Sequence, residues 1–265
     1  MRAQSIRQNL RVVVSAFEVT LRTNIVDAFV LFTILLQPLV IAVLAMWMLS
    51  GRDTSNAIYA VVGSGMTGLW STLLFMGGNS INWERWTGTL ELLVGQPSHL
   101  SFIVFGKNMG VVLQSLGSML ASYLLAAVLF RAPLHIEHPG LFAVSLVLTV
   151  FAFVCFGLVI APIFLMNPQV QHWQNAMEFP VYMLSGFLFP IALLPGWTTP
   201  VSYVLAPYWA ARALHGSSSG GASQQQILIA WGMMIVLGVA YVFLSRWLMG
   251  IMLRKARADA TLRME

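Results

Sequence analysis

Residues 82–100 read NWERWTGTLELLVGQPSHL, a charged stretch that separates two long apolar runs. The runs on either side, 58–80 and 102–130, contain a single charged residue between them, Lys107. Each run is long enough to cross a bilayer, because a spanning helix needs about 20 mostly apolar residues. The stretch 82–100 is therefore expected to lie at the membrane surface, and its contacts there bear on the function of the protein.

The composition indicates a membrane protein. Hydrophobic residues make up 58% of the 265-residue chain and charged residues only 9%, whereas soluble proteins carry about 25% charged residues. So few charges cannot cover a globule in water, and the bilayer is the expected solvent. The net charge of +5 does not indicate nucleic-acid binding, because the basic residues lie at the ends of apolar runs. The one cysteine, Cys155, lies inside an apolar run, so an intrachain disulfide is excluded.

Six apolar runs predict an all-α polytopic membrane protein with six transmembrane helices. The first run begins near Ile25 and is too long for the apolar core of a cleavable signal peptide. The fifth run is interrupted by Pro180 and Pro190. Trp70 lies in the middle of a run, away from the interface that tryptophan prefers, and is expected to pack between helices or to line a pathway. The runs are 25–49, 58–80, 102–130, 141–166, 173–194 and 227–249.

The basic residues predict the orientation of these helices. With six spans both termini lie on one side of the membrane, and eleven of the fourteen Lys and Arg residues fall on that side. Because cytoplasmic loops carry the excess of Lys and Arg, both termini and the stretch 82–100 are predicted to face the cytoplasm across the inner (plasma) membrane. The eleven are Arg2, Arg7, Arg11, Arg22, Arg85, Lys107, Arg246, Arg254, Lys255, Arg257 and Arg263, and the other three are Arg52, Arg131 and Arg212.

The two ends of the chain differ from the six-span domain, 25–249. Residues 1–24 are predicted to form an amphipathic helix that lies along the cytoplasmic surface, with charged side chains opposite an apolar stripe. This helix either anchors the chain only or also supports a partner protein. Residues 250–265 form a basic cytoplasmic tail. The stripe consists of Leu10, Val13, Val14, Phe17 and Leu21.

The segment 185–216 is apolar and contains four prolines, too many for one straight helix. It is predicted to form short broken helices that enter the membrane from outside and return, because non-helical backbone at membrane depth requires surrounding protein or a cavity. The alternative is an ordinary apolar loop. The residues expected to close the outer mouth are Phe187, Phe189, Pro190 and Pro195, and residues 216–225 are expected to be a flexible polar linker.

The charged stretch is predicted to contain a short two-faced helix over 83–95, which QPSHL ends before the next span. Gly88 is expected to cap it, with Glu91 placed to bind free backbone N–H groups. One face would rest on the protein and the other would present acidic groups to a soluble partner. The first face holds Trp86, Leu90 and Leu93, and the second holds Glu84, Gly88 and Glu91.

The sequence resembles the ABC-2-type permeases, the membrane subunits of ABC exporters. The resemblance lies in ERWTGTLELLVGQP at 84–97, in SGFLFPIALLPGW at 185–197, and in LAPYWAARAL at 205–214. It covers nearly the whole chain, and the two longer motifs together are fairly specific. One departure is Ala206, which stands before a proline where the family commonly carries Asn.

The resemblance implies that 83–95 is a coupling helix, which docks into a groove on a separate ATPase. Two ATPase chains and a second permease chain, identical or homologous, are then implied as partners, with ATP and Mg bound by the ATPase. The substrate would be a hydrophobic or amphipathic compound: a lipid-linked glycan, a drug, a lipid or a peptide. The implied docking residues are Glu84, Arg85, Gly88, Thr89, Leu90 and Glu91, and a second, smaller contact would involve Asn167, Gln169 and Gln171.

The chain has no P-loop, so it is not expected to hydrolyse ATP itself. It also shows no Ser/His/Asp or Cys/His set, and HIEH at 135–138 lacks the spacing of a helical zinc site, so neither catalysis nor metal binding is expected. Polar residues inside the runs are candidates for a pathway or a dimer interface; they are Gln37, Gln114 and Glu178. A structural role for Glu178 is the alternative.

Two other functions are compatible with six spans. A membrane enzyme would need clusters of acidic, His or Ser residues within the spans, and only Glu178 is present. A proton-coupled secondary transporter would show inverted repeats, and none is recognisable in this sequence. Co-purification of an ATPase would distinguish both from an ABC permease.

Overall fold

The computed structural model describes residues 2–32, 36–49, 57–95, 99–129, 135–166 and 169–258. Every regular element in these ranges is helical, which confirms the all-α prediction. The helices are α1 (Arg2–Val26), α2 (Ala28–Leu31), α3 (Gln37–Leu49), α4 (Ala57–Thr72), α5 (Ser80–Trp86), α6 (Leu90–Val94), α7 (Leu100–Leu129), α8 (Pro139–Leu165), α9 (Val170–Ser185), α10 (Thr199–Val204), α11 (Ala206–Ser219) and α12 (Gln224–Ala258). A π-helical turn, Leu73–Gly77, continues α4 towards α5, and two 3-10 turns, Ile191–Leu193 and Gly196–Thr198, precede α10.

Four stretches of the described chain are long and apolar enough to cross a membrane: Ala57–Trp86, Leu100–Val128, Pro139–Leu165 and Gln224–Arg254. They correspond to four of the six predicted runs. The other two predicted spans are not confirmed by the structure. In the run 25–49, α1 ends at Val26, α2 follows from Ala28, and α3 has 13 residues, while residues 33–35 lie outside the described part. In the run 173–194, α9 has 16 residues and ends at Ser185, because Gly186 adopts a left-handed conformation with φ 69°.

The core surrounds α8, which packs against α7, α11, α12 and the π-helical turn after α4. Large side chains fill it without access to solvent; they include Trp70, Phe153, Phe164 and Phe187. Trp70 lies in this core and stacks on Phe156 with 5.6 Å between ring centroids. This confirms the prediction that Trp70 packs between helices.

Helix α1 packs along α7 in the same chain direction. Small residues permit the close approach: a Cβ on Gly106 would clash with the Val13 carbonyl oxygen, and one on Gly110 would come within 3.2 Å of Thr20. The apolar stripe predicted for α1 is therefore divided between two environments. Leu10 and Val14 remain exposed, whereas Val13, on the adjacent side of the helix, contacts α7.

The segment after α9 consists of short helical pieces, as its prolines predicted. The predicted linker 216–225 is wrong at its start, because α11 continues to Ser219 and buries Ser217 and Ser218. Their carbonyl oxygens accept hydrogen bonds from the backbone of His138 and Glu137, each at 3.1 Å. These bonds fix the end of α11 beside the start of α8, so only 220–223 connects α11 to α12.

Candidate functional site

The charged stretch forms two helices, and the prediction of one helix over 83–95 is wrong. Helix α5 ends at Trp86 and α6 begins at Leu90, with Gly88 between them at φ 74°. Glycine adopts this conformation without the steric cost that a Cβ would add. The Thr89 backbone N–H donates to the Glu84 carbonyl oxygen at 2.9 Å and closes the turn. The change of direction at Gly88 gives α5 and α6 independent faces.

Glu84 points towards α7, where it forms an ion pair with Lys107. The Lys107 ammonium also donates to the Ser80 carbonyl oxygen at 3.3 Å. The Thr89 hydroxyl donates to the Glu84 carboxylate and lies 3.2 Å from the Glu84 carbonyl oxygen. Both charged side chains are mostly shielded, with 15% of Lys107 and 20% of Glu84 exposed. The ion pair therefore fastens α5 and the turn at Gly88 to the first third of α7.

Leu90 is also turned inward. Its side chain is buried in a second apolar cluster with Ile81, Leu100 and Leu158. Of the residues predicted to dock, Glu84, Thr89 and Leu90 thus form contacts within this chain. Arg85 is half-buried and Gly88 is exposed, and the side chain of Glu91 lies outside the described part.

The exposed surface of this region is largely apolar. Trp83, Trp86 and Leu92 are 55%, 47% and 71% exposed, and the two tryptophan rings meet edge to face at 6.1 Å. Trp86 had been predicted to share an inward face with Leu90, which is wrong because Gly88 separates their helices. We call Trp83, Arg85, Trp86, Gly88 and Leu92 the inner surface patch, after its predicted cytoplasmic orientation; all of them except the half-buried Arg85 are exposed. Its two aromatic rings were missed because one continuous helix was assumed.

The turn before α9 was predicted as a second contact. Gln169 is exposed at the start of α9. Asn167 and the side chain of Gln171 lie outside the described part. Gln174, one turn further on, is buried and donates to the Leu74 carbonyl oxygen at 3.1 Å. This bond holds the start of α9 against the π-helical turn after α4.

Glu178 lies at the meeting point of α3, α4 and α9. Its Oε1 accepts hydrogen bonds from Gln37 Nε2 at 3.1 Å, Ser71 Oγ at 2.8 Å and Tyr182 Oη at 2.8 Å. The Trp70 indole N–H donates to the Glu178 carbonyl oxygen at 3.2 Å. The Glu178 residue is 8% exposed. We call Gln37, Ser71, Glu178 and Tyr182 the Glu178 cluster.

The structure brings together two of the three polar residues predicted for a pathway or interface, Gln37 and Glu178. The third, Gln114, lies instead between α1 and α7, where it accepts from Asn24 Nδ2 at 2.7 Å and donates to the Leu21 carbonyl oxygen at 3.3 Å. Ser71 and Tyr182 were not predicted. Tyr182 follows Glu178 by four residues on one helix, a spacing that signals contact once the helix is known.

The segment 185–216, which we call the outer segment after its predicted position, is held at its first turn. Tyr59 Oη donates to the Gly186 carbonyl oxygen at 3.3 Å. His215 Nε2 lies 3.0 Å from the Phe187 carbonyl oxygen. The Tyr59 and His215 rings stack at 3.6 Å between centroids. Phe187 is fully buried, whereas Phe189 is half-buried and Pro190 and Pro195 are exposed. The four residues predicted to close the outer mouth are therefore divided between core and surface.

The described residues contain no group of three or more His, Cys, Asp or Glu side chains placed to hold a metal ion. A family model described as ABC-2 type transporter matches residues 12–217. The match includes the inner surface patch, the Glu178 cluster and the outer segment. Comparison with curated proteins gives no match.

Proposed function

Because the chain belongs to the ABC-2 type transporter family, we propose that it is the permease subunit of an ATP-driven exporter. It is a multi-pass membrane protein and a transport component, of a family that normally works with an ABC ATPase. In our proposal a separate ATPase docks on the inner surface patch and drives the movement of a hydrophobic or amphipathic substrate outward. ATP and Mg are bound by that partner.

The contact between Glu84 and Lys107 carries this proposal. A docked partner moves α5 and α6, and a surface helix tied only by a flexible loop would absorb that motion. Here the ion pair, the Thr89 hydrogen bond and buried Leu90 connect the segment to α7 and to the apolar cluster beneath it. Motion at the surface patch is therefore transmitted to a helix long enough to cross the membrane.

The inner surface patch suits a protein partner. Aromatic and Arg side chains dominate the binding energy of many interfaces, and Trp83, Trp86 and Arg85 lie together on α5. A Cβ on Gly88 would meet no atom of the chain within 4 Å, so this turn is open to close approach. In this proposal Glu91 and the turn with Asn167, Gln169 and Gln171 add peripheral contacts.

The proposed assembly has two permease chains, identical or homologous, and two ATPase chains. Each permease crosses the inner membrane six times, with α3 and α9 as the two shorter crossings and both termini in the cytoplasm. Helix α1 (predicted as 1–24) lies at the cytoplasmic side of the domain 25–249, and the tail 250–265 returns to the cytoplasm. The segment 185–216 re-enters the membrane from outside and closes the outer end of the pathway.

The test is affinity purification of the tagged full chain from its native membranes, followed by measurement of ATP hydrolysis. The wild-type chain should carry an ATPase, and Trp86→Ala combined with Leu92→Ala should lose it, since two central apolar anchors together contribute about 2–4 kcal/mol. Trp197→Ala is the control, because Trp197 is also exposed but lies on the outer segment. A wild-type chain that carries no ATPase activity would refute the proposal.

A further inference from the structure

Glu178 is a nearly buried carboxylate that forms no ion pair with any described residue. Among the described residues the ion pairs are Arg22 with Glu18 and Lys107 with Glu84, and neither involves Glu178. A buried charge is costly unless it is paired and hydrogen-bonded, and charged residues inside membrane spans generally have a partner. The hydrogen bonds are present in this cluster, but the balancing positive charge is not supplied by the described part of the chain.

Three neutral groups donate hydrogen bonds to the Glu178 side chain. Gln37 contributes its amide nitrogen, which can only donate, and Ser71 and Tyr182 contribute hydroxyl groups. All three bonds end on Oε1, so within the described residues Oε2 carries no hydrogen bond. Oε2 is the oxygen that remains for a ligand.

The surroundings of Glu178 are aromatic and apolar. Phe179 and Tyr182 meet edge to face at 5.9 Å, and Trp70 binds the Glu178 backbone. Phe179 is 62% exposed. Aromatic rings attract organic cations through the negative faces of their π-systems.

We propose that the Glu178 cluster binds a monovalent organic cation with an apolar body, as the substrate of the transporter. This inference rests on the proposed function and specifies its substrate class. In the substrate-free protein Gln37 Nε2 donates to Glu178 and also approaches Ser71 Oγ at 3.3 Å. Gln37 thus covers the carboxylate from α3, and the cation takes the place of this amide when it binds.

The binding test uses two probes of the same shape and opposite charge, tetraphenylphosphonium and tetraphenylborate. Equilibrium dialysis of each probe separately, with the full chain in lipid nanodiscs, should show saturable binding of the phosphonium and none of the borate. Glu178→Gln should weaken this binding at least about 30-fold, as expected when one member of a buried charge pair is removed. Glu18→Gln is the control, since it removes the same charge from the exposed surface of α1.

A second pair of variants leaves Glu178 in place. Gln37→Lys places an ammonium beside the carboxylate, so it should block phosphonium binding and raise the thermal stability of the ligand-free chain. Gln37→Met has a similar length and no charge, and it should retain binding. Equal phosphonium binding by the wild type, Glu178→Gln and Gln37→Lys would overturn the proposal, as would saturable binding of tetraphenylborate that is lost in Glu178→Gln.

The dialysis is independent of the ATPase, so the two proposals fail separately. A chain that binds the phosphonium through Glu178 but purifies without an ATPase would contradict the exporter proposal and leave a cation site. A chain that carries the ATPase but binds no phosphonium would contradict the cation site alone.

Discussion

Glu84 and Glu178 are both shielded carboxylates, but within the described part of the chain only Glu84 forms an ion pair. Glu84 receives the Lys107 ammonium and the Thr89 hydroxyl, so charge and hydrogen bonds are satisfied together. Glu178 receives three neutral donors and, among the described residues, no cation. This difference indicates a structural role for Glu84, whereas we propose that Glu178 acquires its cation when a ligand binds.

The largest effect is expected when the ion pair between Glu84 and Lys107 is broken. Lys107→Met leaves the Glu84 carboxylate shielded without its cation, and it should lower the free energy of unfolding by about 2–3 kcal/mol, less than for a fully buried pair because both side chains keep some exposure. Unfolding in mixed micelles measures this value. The double variant Glu84→Gln with Lys107→Met removes both charges and should recover much of the loss. A double variant as unstable as the single one would show that Glu84 and Lys107 do not act as a pair.

The second prediction concerns the incomplete site. Tyr182→Phe removes one donor to the Glu178 carboxylate and should lower the free energy of unfolding by about 1.5–2 kcal/mol, the lower part of the range for hydrogen bonds to charged groups. Tyr203→Phe is the matched control, because Tyr203 is partly exposed on α10 and no hydrogen bond to its hydroxyl is lost. If the two variants are equally stable, the Tyr182 hydrogen bond contributes no more than an exposed phenol does.

The contrast between the two sites also shows what the sequence could predict. Apolar length and periodicity predicted the membrane helices, and the rarity of charge inside them drew attention to Glu178 and Gln37. The side to which the Glu84 side chain points was not predictable, because the prediction assumed one helix through Gly88. The left-handed backbone of Gly88 instead separates two helices. Every face assigned across that glycine was therefore unreliable, and Trp86 was placed on the wrong side.

A second limit comes from the membrane itself. In water an apolar stripe identifies the buried face of a helix, but in a bilayer both lipid and protein accept apolar side chains. The stripe of α1 therefore could not distinguish Leu10, which stays exposed, from the neighbouring residues that contact α7. The small residues Gly106 and Gly110 were the available signal for that contact, since they permit close approach of two helices.

The smallest expected effect tests the turn that orients Glu84. At φ 74° an alanine at position 88 is strained by about 1 kcal/mol, whereas asparagine tolerates this conformation better. Space is not the issue, because a Cβ there meets no atom of the chain within 4 Å. Gly88→Ala should therefore lower the free energy of unfolding by about 1 kcal/mol and increase proteolysis between α5 and α6, while Gly88→Asn should stay within about half of that loss. If alanine and asparagine give the same stability and the same cleavage rate, backbone conformation at Gly88 does not hold Glu84 towards Lys107, and the ion pair alone must position the inner surface patch.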